Sequence, residues 1–269
     1  DVTVDSNSSI TYFNGGMHDK LGKITKTLDG GYLYCGFTGG DTSNADAFLM
    51  KVDANGTQEW FKTYGRNYYD EFKSVIACSD GGYLAVGTTN SIGKGFNDKT
   101  FTQNDFVVKT DAIGNIQWMK SYINSRSRLE SAVELPNSEY ATVGYYYSAN
   151  DGNQNIVVLK LGSKGELLVN RQFANFDSIP PAFNRRSWNE YPNYVTLSSD
   201  GNLIIAGTMD KSNYVVEVQN HVTFLMKLKS DIPKTMDLFY SYADYVRGMS
   251  YWNTIKPFKV PFVKVIEVN

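Results

Sequence analysis

The sequence predicts an all-β chain: a β-propeller of about five four-stranded blades, its ring closed by strands from both termini. Three observations predict it. A turn motif recurs four times along the chain. Each recurrence is followed by a second strand-pair motif. The two ends of the chain resemble complementary strands of one blade.

The turn motif runs Asp29-Gly30-Gly31-Tyr32-Leu33-Tyr34-Cys35-Gly36 and returns as Asp80-Gly81-Gly82-Tyr83-Leu84-Ala85-Val86-Gly87. Looser copies end at Gly144 and Gly207, so the closing glycines 36, 87, 144 and 207 are 51, 57 and 63 residues apart. The second motif starts at Phe48, Phe106, Val157 and Phe224. It keeps Lys51, Lys109, Lys160 and Lys227 in one place, and Tyr64, Tyr122, Phe173 and Tyr242 in another.

Each unit reads as four strands. In the second unit they are 73–78, 83–89, 105–111 and 116–122. Asp-Gly-Gly and Asn55-Gly56 suit two-residue hairpins, whose turns need positive φ. The second and third strands are apolar almost without alternation, which suits a sheet covered on both faces. No capped helix-period pattern stands out. Spacings of 50–60 residues are too long for a β-helix repeat and unexplained by a two-sheet sandwich.

The chain opens with a strand at 9–13 that aligns with a fourth strand, and closes with 262–268, which resembles a third strand. Pairing them would latch a ring. Four full units plus this composite blade make five, at about 54 residues each over one domain, 1–269.

Composition narrows the class further. Apolar residues make up 42% and charged residues 20%, enough for a core and against general disorder. The 19 Tyr and 15 Phe suit strands. A net charge of -2 argues against a nucleic-acid partner. No apolar stretch is long enough for a transmembrane helix. Cys35 and Cys78 lie in apolar runs and read as buried free thiols.

These repeats, DGGYxxxGxT followed by F[LV][MV]KxDxxGxxxWxKxYG, resemble the propeller-like repeats of secreted and surface-anchored proteins of Gram-negative bacteria. The resemblance covers about residues 9–242. It implies fold and export to the extracellular or outer-membrane surface, with the periplasm as the other compartment. A lipid anchor on a removed N-terminal segment is compatible with it. It implies no activity.

If the tight turns share one face, the longer loops share the other, and that face is where binding is expected. The position that begins each first strand holds Asp19, Asp70, Ser127, Glu190 and Asp244. Such acids could hold a cation or act as catalytic carboxylates. Alternatively, a repeated acid satisfies local N–H groups. Tyr68, Tyr69, Tyr146, Trp188, Tyr191 and Tyr245 supply rings that suit sugars or a protein hot spot, or simply cover the blade ends. Arg126, Arg128, Arg185 and Arg186 could clamp a carboxylate or sulfate, or be solvated surface.

The expected ligand site therefore comprises Tyr69, Asp70, Arg128, Arg185, Arg186, Trp188, Glu190 and Tyr191. Its centre is the loop 174–191, stiffened by Pro180-Pro181. No catalytic set, metal site or cofactor motif stands out. There are only two histidines, and Asp53-Ala54-Asn55-Gly56 reads as a hairpin rather than a calcium loop. The expected function is an exported non-catalytic binding or scaffold propeller recognising a glycan or a protein. The alternative is an enzyme like five-bladed glycoside hydrolases, with carboxylates at the channel mouth.

Overall fold

The structure, a computed structural model, describes residues 19–39, 45–66, 68–91, 103–123, 126–148, 152–173, 188–211 and 220–229. The chain divides into two compact units, residues 1–121 and 122–269. The fold class is all-β, as expected. A 3-10 turn at Pro136–Ser138 is the only helical element among the described residues. Segments 9–13 and 262–268 lie outside the described residues, and so does the expected latch.

The first unit holds two antiparallel sheets in plain chain order. One is β1 (Lys20–Lys26), β2 (Tyr32–Thr38), β3 (Asp46–Val52) and β4 (Gln58–Tyr64). The other is β5 (Asp70–Ala77), β6 (Tyr83–Thr89), β7 (Asn104–Thr110) and β8 (Ile116–Lys120). The second unit repeats the order with β9 (Ser127–Leu135), β10 (Glu139–Tyr147), β11 (Gln154–Leu161) and β12 (Leu167–Phe173). Its other sheet is three-stranded: β13 (Trp188–Leu197), β14 (Leu203–Lys211) and β15 (Asn220–Leu228).

The unbroken apolar runs are buried for the reason anticipated. Every residue of β6 and β7 is buried, while β4 and β8 are largely open. In the first unit Leu33, Cys35 and Leu49 of one sheet share a core with Phe72, Val75 and Phe106 of the other. Phe72 and Phe106 stack with centroids 5.1 Å apart. The recurrent tyrosine has a specific job. Tyr64 donates its hydroxyl hydrogen bond to the carbonyl of Gly114, in the β7–β8 turn, at 2.8 Å. In the second unit Tyr122 does the same to Gly165 at 3.0 Å. The core of the second unit sets Val143, Ile156 and Val158 against Val195, Ile205 and Met226.

The hairpins differ from the two-residue form expected. In the β1–β2 connection Gly30 N–H donates to Thr27 O and Thr27 N–H to Gly31 O. Only Gly30, at φ 89°, is left-handed in that turn. This is a three-residue loop, a turn followed by one left-handed glycine. The same pair of bonds recurs at 53–57, 78–82, 111–115, 162–166 and 198–202. One positive φ suffices, so one glycine carries the turn and the second Gly of Asp-Gly-Gly does something else.

That second glycine makes room for the recurrent lysine. Lys51 pairs with Asp29 at 2.8 Å and Lys109 with Asp80 at 2.8 Å. A Cβ on Gly31 would lie 2.7 Å from Lys51 Nζ, and one on Gly82 would lie 2.6 Å from Lys109 Nζ. Each would also strike the carbonyl of Val52 or Thr110. The pairing persists in the looser repeats, as Lys160–Glu139 at 2.8 Å and Lys227–Asp200 at 2.7 Å. The closing glycines answer a second constraint. Each first strand carries a β-bulge, and Gly36, Gly87, Gly144 and Gly207 pair with Leu21, Phe72, Leu129 and Pro192 beside it. A Cβ there would strike the carbonyl of Lys20, Glu71, Arg128 or Tyr191.

Two outcomes follow from this geometry. Gly82→Ala should cost more than about 2 kcal/mol, because a carbonyl and a buried lysine both stand in the way. Gly81→Ala meets open space and costs only the strain of φ 84°, about 1 kcal/mol. Urea denaturation of the two variants, compared with the parent, measures the difference.

The second outcome concerns acid. The hydrogen bond from Lys51, with help from Thr27, holds the Asp29 carboxyl at about 2 against 3.8 for a free aspartate. Burial raises Asp80, but Lys109 and the Gly82 N–H outweigh it and leave the carboxyl lowered. Depressed carboxyls stabilise the fold above the unfolded value, and that stability is lost as pH falls through the folded value. The melting temperature should therefore drop between pH 4 and pH 2, and Lys51→Met should flatten that drop.

Candidate functional site

In each described sheet a tight turn joins the first strand to the second, and in the three four-stranded sheets another joins the third to the fourth. The second-to-third connection lies at the opposite end. That end also holds the start of each first strand, where the expected site residues sit.

Asp70 begins β5 and is fully buried. Its carboxylate accepts from Ser91 Oγ at 2.6 Å, from the Arg66 N–H at 3.0 Å and from the Thr89 hydroxyl. Its own N–H donates to the Ala45 carbonyl at 2.7 Å. Burial pushes the carboxyl up. The Ser91, Thr89 and Arg66 donors pull it back, and Asp46 adds to the rise. Asp46 is itself raised by burial. Asp19 stands at the same place in the first sheet and accepts from Thr38 Oγ1 at 2.6 Å. Both pairs are 19 residues apart, so one acid–threonine clip is built twice. It is absent from the next repeats, where the register pairs are Ser127 with Tyr146 and Glu190 with Met209. Glu190 is buried, at 1% exposure. Asp70 and Glu190 thus sit inside the sheets' ends, Asp19 is exposed, and Asp244 lies outside the described residues.

Tyr69 is likewise engaged. Its hydroxyl donates to Glu71 Oε2 at 2.7 Å, and its ring lies 5.4 Å from Phe37. Glu71 is buried and ion-paired with Lys73. Two further expectations are corrected. Trp188, Glu190 and Tyr191 belong to the start of β13, not to the preceding loop. There Pro192 beside the bulge is tolerated because β13 is an edge strand. Arg128 is no free clamp: its Nε pairs with Glu130 Oε1 at 2.7 Å. Arg185 and Arg186 lie outside the described residues, and Trp188 is described by its backbone alone.

Around Tyr191 the structure assembles Tyr145, Tyr147, Gln154 and Asn189, which motif reading passed over, with Arg126, which it named. Tyr191 packs edge-on against Tyr145, centroids 5.4 Å apart and planes at 85°. Arg126 lies over the ring of Tyr147, 5.8 Å from its centroid. Gln154 N–H donates to Asn189 Oδ1 at 3.0 Å. The signal was present in the sequence: three consecutive tyrosines, 145–147, follow Gly144 where the other units have Phe37-Thr38, Thr88-Thr89 and Thr208-Met209.

Cys35 and Cys78 are both buried and free, as expected. Burial pushes the Cys35 thiol up to about 12, which leaves it without thiolate chemistry at neutral pH. Among the described residues no three His, Cys, Asp or Glu side chains are close enough to hold a metal ion. Asp53 accepts from the N–H groups of Asn55 and Thr57, the hairpin role expected.

No family model matches the chain, and no curated protein matches it. Among solved structures it is similar to the endo-arabinase from Bacteroides thetaiotaomicron VPI-5482. The identity is 9%, over 77% of this chain and 74% of that one, with a TM-score of 0.43.

The clip assigns Asp70 a structural role, which a variant can check. Asp70→Ala strands three donors at a buried position and should destabilise the first unit by about 2–4 kcal/mol. A carboxylate kept for ligand chemistry would instead leave stability unchanged or raised when removed. Chemical denaturation decides between them.

Proposed function

We propose that the chain is a β-propeller of about five blades, latched by 9–13 and 262–268. In this reading it is an exported, non-catalytic binding domain that recognises a glycan or a protein through the sheet ends opposite the tight turns. The observation that carries the reading is the bonding of the repeated acids. Asp19 and Asp70 are tied to Thr38 and Thr89 by the same clip. A glycoside hydrolase of the alternative kind needs two carboxylates in unlike environments, one raised and both facing substrate. Asp70 has the raised carboxyl, but it has no exposed surface and is spent on Ser91, Thr89 and the Arg66 N–H, so it fits that requirement poorly.

The rings and guanidinium groups at this end fit binding better. Arg185, Arg186 and Trp188 within four residues offer bidentate pairing and stacking. Export rests on the resemblance of the repeats to those of secreted and surface-anchored bacterial proteins.

A glycan array and a protein pull-down, run beside a hydrolase screen, test the proposal. Capture without turnover is expected. The Arg186→Ala/Trp188→Ala double variant should lose capture by about 10²-fold while its melting temperature holds. Robust turnover that disappears in Asp70→Asn or Glu190→Gln would establish the enzyme instead.

A further inference from the structure

We infer that the second unit carries an acidic-sugar subsite between its two sheets, formed by Arg126, Tyr147 and Gln154 with Asn189 and Tyr191 beside them. The inference rests on the binding reading above and names its ligand class. Arg128 and Tyr145 are register partners, as are Tyr147 and Gln154, so each pair projects from one side of the sheet. Tyr145 meets Tyr191, and Gln154 meets Asn189, so this side faces β13.

Three unmet capacities lie together there. The guanidinium of Arg126 is exposed and held over the Tyr147 ring, and among the described residues no carboxylate pairs with it. Its fork is oriented and open to a carboxylate or sulfate. The Tyr147 ring is 40% exposed, an apolar plane beside that charge. The Gln154 Oε1 atom is buried and accepts no hydrogen bond from the described residues, so it suits a donor brought by a ligand. An anion, an apolar ring face and a hydroxyl donor on one small rigid molecule describe an acidic sugar. An acidic peptide side chain supplies the anion without the hydroxyl-bearing ring.

The repeat itself shows that these residues are not scaffold. At the place of Tyr147 the other units have Gly39, Asn90 and Asp210. At that of Arg126 they have Tyr69 and Asn189. The sheets form with each of these, so neither residue is needed to build one.

Isothermal titration of the purified chain tests the subsite with polyglutamate and three tetrasaccharides: tetragalacturonate, a chondroitin sulfate fragment and cellotetraose. At least one acidic tetrasaccharide should bind and the neutral one should not, and the two acidic sugars separate carboxylate from sulfate. Arg126→Ala and Tyr147→Ala should each weaken binding at least about tenfold. Arg126→Lys should fall between, and Tyr147→Phe should retain affinity because the ring, not the hydroxyl, makes the contact. The subsite is overturned if no acidic tetrasaccharide binds, if cellotetraose or polyglutamate binds as well, or if Arg126→Ala and Tyr147→Ala stay within twofold of the parent. Unchanged Arg126→Ala affinity with loss in Trp188→Ala would remove the subsite and leave the binding reading standing. Cleavage of any of the sugars would remove the binding reading instead.

Discussion

Every described sheet is organised around one ion pair, between the lysine of its third strand and the carboxylate at its first turn. Lys51 and Lys109 are almost wholly buried, and each also donates to a neighbouring carbonyl, of Val52 and Thr110. A buried ammonium is costly unless its donors are met. Here the carboxylate lies in the turn of the first hairpin and the carbonyl beside the turn of the second, so the lysine ties both hairpins of a sheet together. The requirement propagates into the sequence. In the first two repeats the acid sits in the turn, glycine follows the left-handed glycine, and the third strand admits one long cation in an otherwise apolar run; in the fourth, where Lys227 is less deeply buried, Asn202 takes the second glycine's place. Where Asp-Gly-Gly is lost, the pair is kept: Lys160 finds Glu139 one residue beyond a turn in which Asn137 and Ser138 take the left-handed conformation.

At the other end of each sheet the constraint is steric. The bulge in each first strand brings a carbonyl onto its neighbour, and only glycine at 36, 87, 144 and 207 leaves space for it. A bulge redirects the side chains that precede it. Those are Asp19-Lys20, Asp70-Glu71, Ser127-Arg128 and Glu190-Tyr191, where three of four repeats keep an acid first and the second residue changes in type. Even the charge order reverses, Glu71 with Lys73 in one sheet and Arg128 with Glu130 in another.

The strands were legible because burial of both faces writes an unbroken apolar run, and β6 coincides with the expected 83–89. The turns were located correctly and misread in type, since Asp-Gly-Gly looks like two left-handed positions when one glycine serves the turn and the other the lysine. The recurrent lysines were visible as a column, but their partners were not, because the acid lies 21 to 29 residues upstream across a register that only the folded sheet defines. For the site, the sequence pointed to the start of the first strands. What sequence could not supply was which groups there are already engaged. Asp70 and Tyr69 stand out in the repeat and are bonded into it, whereas Tyr147 and Gln154 gain meaning only through a register pairing.

This suggests how such a chain divides its work. The lysine pair recurs at the tight-turn end of all four described sheets, and the tyrosine-to-glycine bond reaches a tight turn in two of them. At the opposite end only the bulge and its glycine are obligatory. The first two units add the acid–threonine clip there and the later two omit it, yet all four form sheets. Stability at that end is therefore met by backbone geometry, which leaves side chains such as Arg126 and Tyr147 free to vary. Function grafted onto a repeat scaffold belongs where the scaffold makes the fewest chemical demands. In this chain the third unit, with its departures at 126, 145 and 147, has used that freedom most.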